Sequence, residues 1–147
     1  MRYAHTNIVA ENWEKLAEFY QRVFACVPVP PVRDLSGEWL DRASGVRGAH
    51  LRGMHLRLPG HGNNGPTLEI FSYSEMEGKS APAANRKGFG HIAFQVDDVS
   101  AARANVLANG GTDLGQPVEV EIPAVGRLTF LYMTDPEGNI LEIQNWS

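Results

Sequence analysis

Hydrophobic positions along this chain switch repeatedly between two periods, and each switch marks an element. Residues 3–9 alternate, with Ala4, Thr6 and Ile8 on one side and Tyr3, His5, Asn7 and Val9 on the other, which predicts a short strand. Asn12 is placed to cap a helix. Trp13, Leu16, Ala17, Tyr20, Val23 and Phe24 follow at the spacing of one buried helical stripe. Pro28, Pro30 and Pro31 end that helix, and a polar stretch follows. Two strands are expected over 50–58 and 66–73, joined by a Gly/Asn-rich turn at 59–65.

Residues 74–87 lack periodicity and read as a linker. Alternation returns at 90–96. Asp98 or Ser100 is placed to cap a helix running to Asn109, where Gly110 and Gly111 stop it. Strands are then expected over 118–122, 128–133 and 139–146, with Asp135-Pro136-Glu137-Gly138 as a turn between the last two. Each half thus reads strand, helix, then two or three strands. The expected organisation is one α+β domain over 1–147, with module one at 1–75, a linker at 76–87 and module two at 88–147.

The halves also match residue by residue. His5 opens the first strand of one half and His91 that of the other. Leu68-Glu69-Ile70 lies in the last strand of half one, and Leu141-Glu142-Ile143 in the last strand of half two. Strand side chains alternate between faces. In each half the apolar face is expected to cover the helix, leaving His5, Glu69, His91 and Glu142 to face one cavity. Two carboxylates in a partly dry cavity repel each other and desolvate unfavourably. A divalent cation removes both problems, and nitrogen and oxygen donors suit Zn, Ni, Co, Mn or Fe. Any one of these residues alone is an ordinary strand residue; the matched pairs carry the metal expectation.

Composition narrows the function. The 147 residues include 13 Lys+Arg and 17 Asp+Glu, a formal net charge of −4, which argues against a general nucleic-acid binder. No apolar run reaches the ~20 residues that span a bilayer, and the N-terminus lacks a signal-peptide core. The single cysteine, Cys26, permits no intrachain disulfide, is expected to be inert packing, and fits a reducing, cytoplasmic setting. Residues 43–68 contain no Asp or Glu but hold Arg47, His50, Arg52, His55, Arg57 and His61. Arg52 and Met54 share one face of the expected strand, and His55 and Arg57 the other. Arg52 is expected to orient an anionic substrate group; the alternative is a solvated basic strand. Trp39 and Tyr132 are expected mainly in the core, with a pocket wall as the alternative.

These motifs resemble the vicinal-oxygen-chelate superfamily, the glyoxalase, bleomycin-resistance and extradiol-dioxygenase group. The resemblance rests on His5-Thr6-Asn7-Ile8-Val9, on Phe19-Tyr20-Gln21-Arg22-Val23-Phe24, on Leu68-Glu69-Ile70, on residues 88–98 and on residues 135–142. It implies tandem βαβββ modules forming a cupped half-barrel sheet around a divalent metal ion held by His5, Glu69, His91 and Glu142. It also implies a homodimer and a small-molecule substrate chelated through neighbouring oxygens, with no membrane or nucleic-acid partner. A His/Glu/His/Glu set is similar to that of glyoxalase I, in which a metal-bound carboxylate moves a proton. Glu142 is then the first catalytic base and Glu69 the second.

Two departures from subfamily patterns stand out. The positions of glyoxalase I's glutathione-binding Arg and Asn hold Val9 and Tyr73 here. The separate catalytic glutamate of methylmalonyl-CoA epimerase has no counterpart in 43–68. The leading expectation is a metal-dependent lyase or isomerase. The alternatives are an Fe(II) extradiol-type dioxygenase using His5, His91 and Glu142, and a drug-binding or antibiotic-resistance protein.

Overall fold

The computed structural model describes all residues, 1–147. The chain divides into two compact units, Met1–Lys79 and Ser80–Ser147.

The first unit runs β1 (His5–Val9), α1 (Trp13–Phe24), β2 (Val27–Ser36), α2 (Glu38–Ser44), β3 (His50–Arg57) and β4 (Thr67–Tyr73). Its sheet has the order β1-β4-β3-β2; β1 and β4 are parallel, and the other neighbours are antiparallel. The Asn12 side chain accepts from Lys15 N at 3.0 Å, satisfying one of the orphan donors at the start of α1. Leu16, Ala17, Tyr20 and Phe24 are buried as the stripe predicts, and Phe19 joins them. Helix α1 packs on β3 and β4. Leu56, Leu68 and Ile70, all fully buried, lie on the side of the sheet opposite Glu69.

Two elements of this unit escaped the sequence reading. The segment expected to be merely polar forms β2 and α2. Proline lacks the N–H that a central strand must donate. Pro28, Pro30 and Pro31 are accommodated because β2 is the edge strand, with an irregular register between Val29 and Arg33. Helix α2 sends Leu40 into a cluster with Ala49, Leu51 and Phe71. Trp39, expected in the core, is 58% exposed on that helix.

Gly53 is the close-approach position of this sheet. A methyl group there would lie 2.1 Å from the Ile70 carbonyl oxygen and 2.4 Å from Phe71 Cδ1. Gly53→Ala is therefore expected to destabilise the unit by about 1–3 kcal/mol, read as a lowered denaturant midpoint.

Cys26, next to the C-cap of α1, is 3% exposed, and burial pushes its thiol up to about 12. The thiolate is the reactive form. Iodoacetamide at pH 8 is expected to leave the folded chain unmodified and to alkylate Cys26 once guanidinium unfolds it; rapid labelling of the folded chain would contradict its burial.

The second unit repeats the plan: β5 (Ile92–Gln95), α3 (Val99–Ala108), β6 (Thr112–Asp113), β7 (Val118–Ile122), β8 (Gly126–Thr134) and β9 (Ile140–Trp146). Its sheet has the order β5-β9-β8-β6, and β7 also pairs with β8. Again the first and last strands are parallel neighbours. Of the two caps considered, Asp98 is the one used: it accepts from Ala101 N at 2.9 Å. Leu131, Met133, Leu141 and Ile143 are buried on one side of the sheet, and α3 packs on β9. Strand β6 is too short to leave a periodic signal.

No helix is long and apolar enough to cross a membrane. The architecture is the expected mixed α+β one, with two open sheets and few helices.

Candidate functional site

The first unit brings His5 and Glu69 together. Strand β1 lies parallel beside β4 with Asn7 opposite Glu69, so His5, Asn7 and Glu69 share a face. His5 Nδ1 stands 3.2 Å from Glu69 Oε1. The Asn7 side-chain amide donates to the Glu69 carbonyl at 3.3 Å. Glu69 is 13% exposed at its side chain, and its carboxylate is ion-paired to no lysine or arginine.

A second imidazole reaches the same oxygen. His55 lies opposite Glu69 in the β3–β4 ladder, with Nδ1 3.3 Å from Oε1. Its ring meets Phe71 edge-on at 5.7 Å between centroids. Burial lowers the His55 pKa; Glu69 pulls it back up, while Arg33 and His5 push it further down. The neutral imidazole, able to donate a proton to Glu69 from Nδ1, is the favoured form. Sequence reasoning placed His55 on a strand face but gave it no role. The available signal was its parity with the strand opposite Glu69, which only the register reveals.

The second unit builds a matching pair. Glu142 lies opposite Ala93 in the parallel β5–β9 ladder, and His91 is two residues before Ala93. His91 Nε2 is 3.0 Å from Glu142 Oε2, and the Glu142 side chain is 12% exposed. Tyr132 lies opposite Glu142 in the β8–β9 ladder, and its ring lies 4.9 Å from His91. Burial raises the Tyr132 pKa, and the charge of Glu142 and a hydrogen bond to it raise it further. Tyr132 thus remains a protonated donor to Glu142, a wall of this site rather than core.

Arg52 stands elsewhere. It lies opposite Ser72, three residues along from the His55–Glu69 pair, and so points from the other face of the sheet. Its Nε is 3.2 Å from Asp34 Oδ2, and His50 Nε2 is 2.6 Å from Asp34 Oδ1. Arg52, the residue expected to orient an anionic substrate group, thus lies on the face opposite Glu69 and is paired with Asp34. Both faces of β3 mix polar and apolar residues, so alternation alone could not assign the right one.

The donor set fits a divalent cation in its chemistry. Each unit presents an imidazole nitrogen and a carboxylate oxygen at hydrogen-bond distance, with the carboxylate largely withdrawn from water. The ion-pair partners of these carboxylates are imidazoles alone, and a divalent cation suits such donors. As the side chains stand, no group of three or more His, Cys, Asp or Glu is arranged as a metal cage.

Comparison with known proteins agrees with this architecture. A solved Bacillus cereus glyoxalase family protein is similar over 99% of this chain and 94% of its own, at 16% identity and a TM-score of 0.85. A solved glyoxalase/bleomycin resistance protein/dioxygenase family enzyme from Burkholderia phytofirmans PsJN covers 98% of both chains, at 18% identity and a TM-score of 0.59. At such identities the likeness is one of fold. Curated proteins of Mycobacterium bovis and Mycobacterium tuberculosis, both provisionally named glyoxylase CFP32, are 40% identical over 53 residues. That match spans 36% of this chain and 19% of theirs. The family model described as Glyoxalase/Bleomycin resistance protein/Dioxygenase superfamily matches residues 2–143, nearly the whole chain, and the chain belongs to that superfamily.

Proposed function

We propose that the chain is a divalent-metal-dependent lyase or isomerase of glyoxalase type, acting on a small substrate that presents neighbouring oxygens. His5, Glu69, His91 and Glu142 hold the ion in this reading. The observation that carries it is the repeated pair: each unit sets one imidazole against one poorly solvated carboxylate that no lysine or arginine neutralises. A divalent ion at these donors supplies a Lewis acid that polarises substrate oxygens.

The chain's own residues then divide the work. Glu142 takes the proton from the substrate carbon at its carboxylate, and Tyr132 and His91 fix the orientation of that carboxylate. Glu69, having taken a proton from solvent, gives it to the substrate on the other side, oriented by His5 and His55, and Glu142 releases its own proton to solvent. Phe71 packs against His55, and Tyr132 against His91, so each imidazole beside a carboxylate has an aromatic neighbour. The test is chelation. Protein stripped of metal is expected to lose activity, and readdition of Zn, Ni, Co or Mn to restore it; full activity after complete stripping would refute the reading.

A further inference from the structure

Four of the ten arginines in this chain sit against carboxylates. Arg22 pairs with Glu18, Arg52 with Asp34, Arg103 with Asp113, and Arg127 with Glu119 and Glu121. Two partly buried arginines of the first unit do not, and both belong to the sheet face that carries Glu69. Arg33 lies opposite Gly53 in the β2–β3 ladder, and Gly53 lies opposite Phe71 in the β3–β4 ladder. Arg57 lies opposite Thr67, which lies opposite His5. Opposed residues share a face, so Arg33 and Arg57 bracket His55 along the sheet.

Among the strand residues of that face, Glu69 is the only acidic one; Asp34 points from the other side with Arg52. Arg33 spends one guanidinium nitrogen, Nη1, on the Pro31 carbonyl. The field of Arg33 reaches His55, where it favours the neutral imidazole. The strands of this face thus carry two arginines and one carboxylate, within a chain whose net charge is −4. Arginine is seldom withdrawn from water without an anionic partner, and its planar fork matches the oxygens of a carboxylate or phosphate.

We propose that Arg33 and Arg57 form an anion subsite on the Glu69 face of the first unit, and that the substrate carries a carboxylate or phosphate group held there. This deepens the preceding reading by naming a substrate class, and it rests on that reading only in placing the anion beside a proton-moving carboxylate.

The experiment is calorimetric titration of the metal-stripped full chain with inorganic phosphate and, separately, with malonate. Because metal is absent throughout, failure here leaves the metal-dependent reading standing, and failure of metal binding leaves this result standing. Wild-type protein is expected to bind at least one of the two anions with an affinity that falls as salt rises. Binding of phosphate alone, or of malonate alone, identifies which group the subsite takes.

Arg33→Gln and Arg57→Gln are each expected to weaken binding about tenfold, the loss of one charge-assisted contact. Arg33→Lys, which keeps the charge but loses the planar fork, should fall between the wild type and Arg33→Gln. Arg52→Gln, on the opposite face, should bind as the wild type does. The proposal is overturned if the wild type binds neither anion, if both glutamine variants bind unchanged, or if Arg52→Gln weakens binding as much as they do.

Discussion

Replacing Glu142 by glutamine is expected to lower kcat by about 10²–10⁴-fold, the usual contribution of a positioned general base, while leaving the melting temperature nearly unchanged. Glutamine matches glutamate in shape and still accepts hydrogen bonds through its carbonyl oxygen. The contacts to His91 at 3.0 Å and to Tyr132 can therefore persist. What the amide cannot do is accept a proton from carbon. Turnover is the direct measure, and wash-in of solvent deuterium at the substrate carbon is the independent one. Both should fall together in the variant. Full turnover by Glu142→Gln would remove Glu142 from the proton-transfer role. Glu69→Gln is expected to behave similarly if the two carboxylates act on opposite sides of the substrate, and to leave deuterium wash-in intact if only Glu142 removes the first proton.

The second large effect concerns the turn that delivers Glu142 to its place. Asp135 is 1% exposed between β8 and β9. Its Oδ1 accepts from Glu137 N at 3.0 Å and from Asn139 N at 2.9 Å, and its Oδ2 accepts from the Asn139 side-chain amide at 2.7 Å. Asp135 N donates to the Asn139 carbonyl at 2.9 Å, and Gly138 supplies the positive φ of 77° that closes the turn. Truncation to alanine removes the acceptor that these three donors share. A hydrogen bond contributes about 0.5–1.5 kcal/mol and its loss at a buried site costs about 1–3 kcal/mol, so Asp135→Ala is expected to cost about 3 kcal/mol. For a chain of this size that lowers Tm by about 6–12 °C. Asp135→Asn, which keeps one acceptor oxygen, should lose less. An unchanged Tm for the alanine variant would mean that the turn is held by its backbone alone.

The central pairs were legible in the sequence because strand parity and an internal repeat are both written there. His5 and Glu69, and His91 and Glu142, occupy matched positions in matched strands, and each pair meets at about 3 Å. The helix caps were legible for a similar reason: Asn12 and Asp98 have the short acceptor side chains that a helix start requires.

What escaped depended on tertiary information. Prolines at 28, 30 and 31 argue against a strand unless that strand lies at an edge, and only the assembled sheet shows that β2 does. Helix α2 buries a single leucine, Leu40, too little to leave a stripe. The choice between Arg52 and the opposite face of β3 required the register with β4, because His50, Arg52, Met54 and Leu56 look no more or less like a site than Leu51, Gly53, His55 and Arg57. Tyr132 resembled core because its chain neighbours Leu131 and Met133 are core; its own side chain turns to His91 and Glu142.

The most direct test of the proposed centre is the stoichiometry of Co(II) binding to the metal-free chain, followed by the visible absorption of the bound ion, in the wild type and in His5→Ala, Glu69→Ala, His91→Ala and Glu142→Ala. One ion per chain, lost or severely weakened by each of the four substitutions, is the result that a single centre drawing on both units predicts. Two ions per chain that respond separately to the two pairs, or no binding at all by the folded wild-type protein, would contradict it.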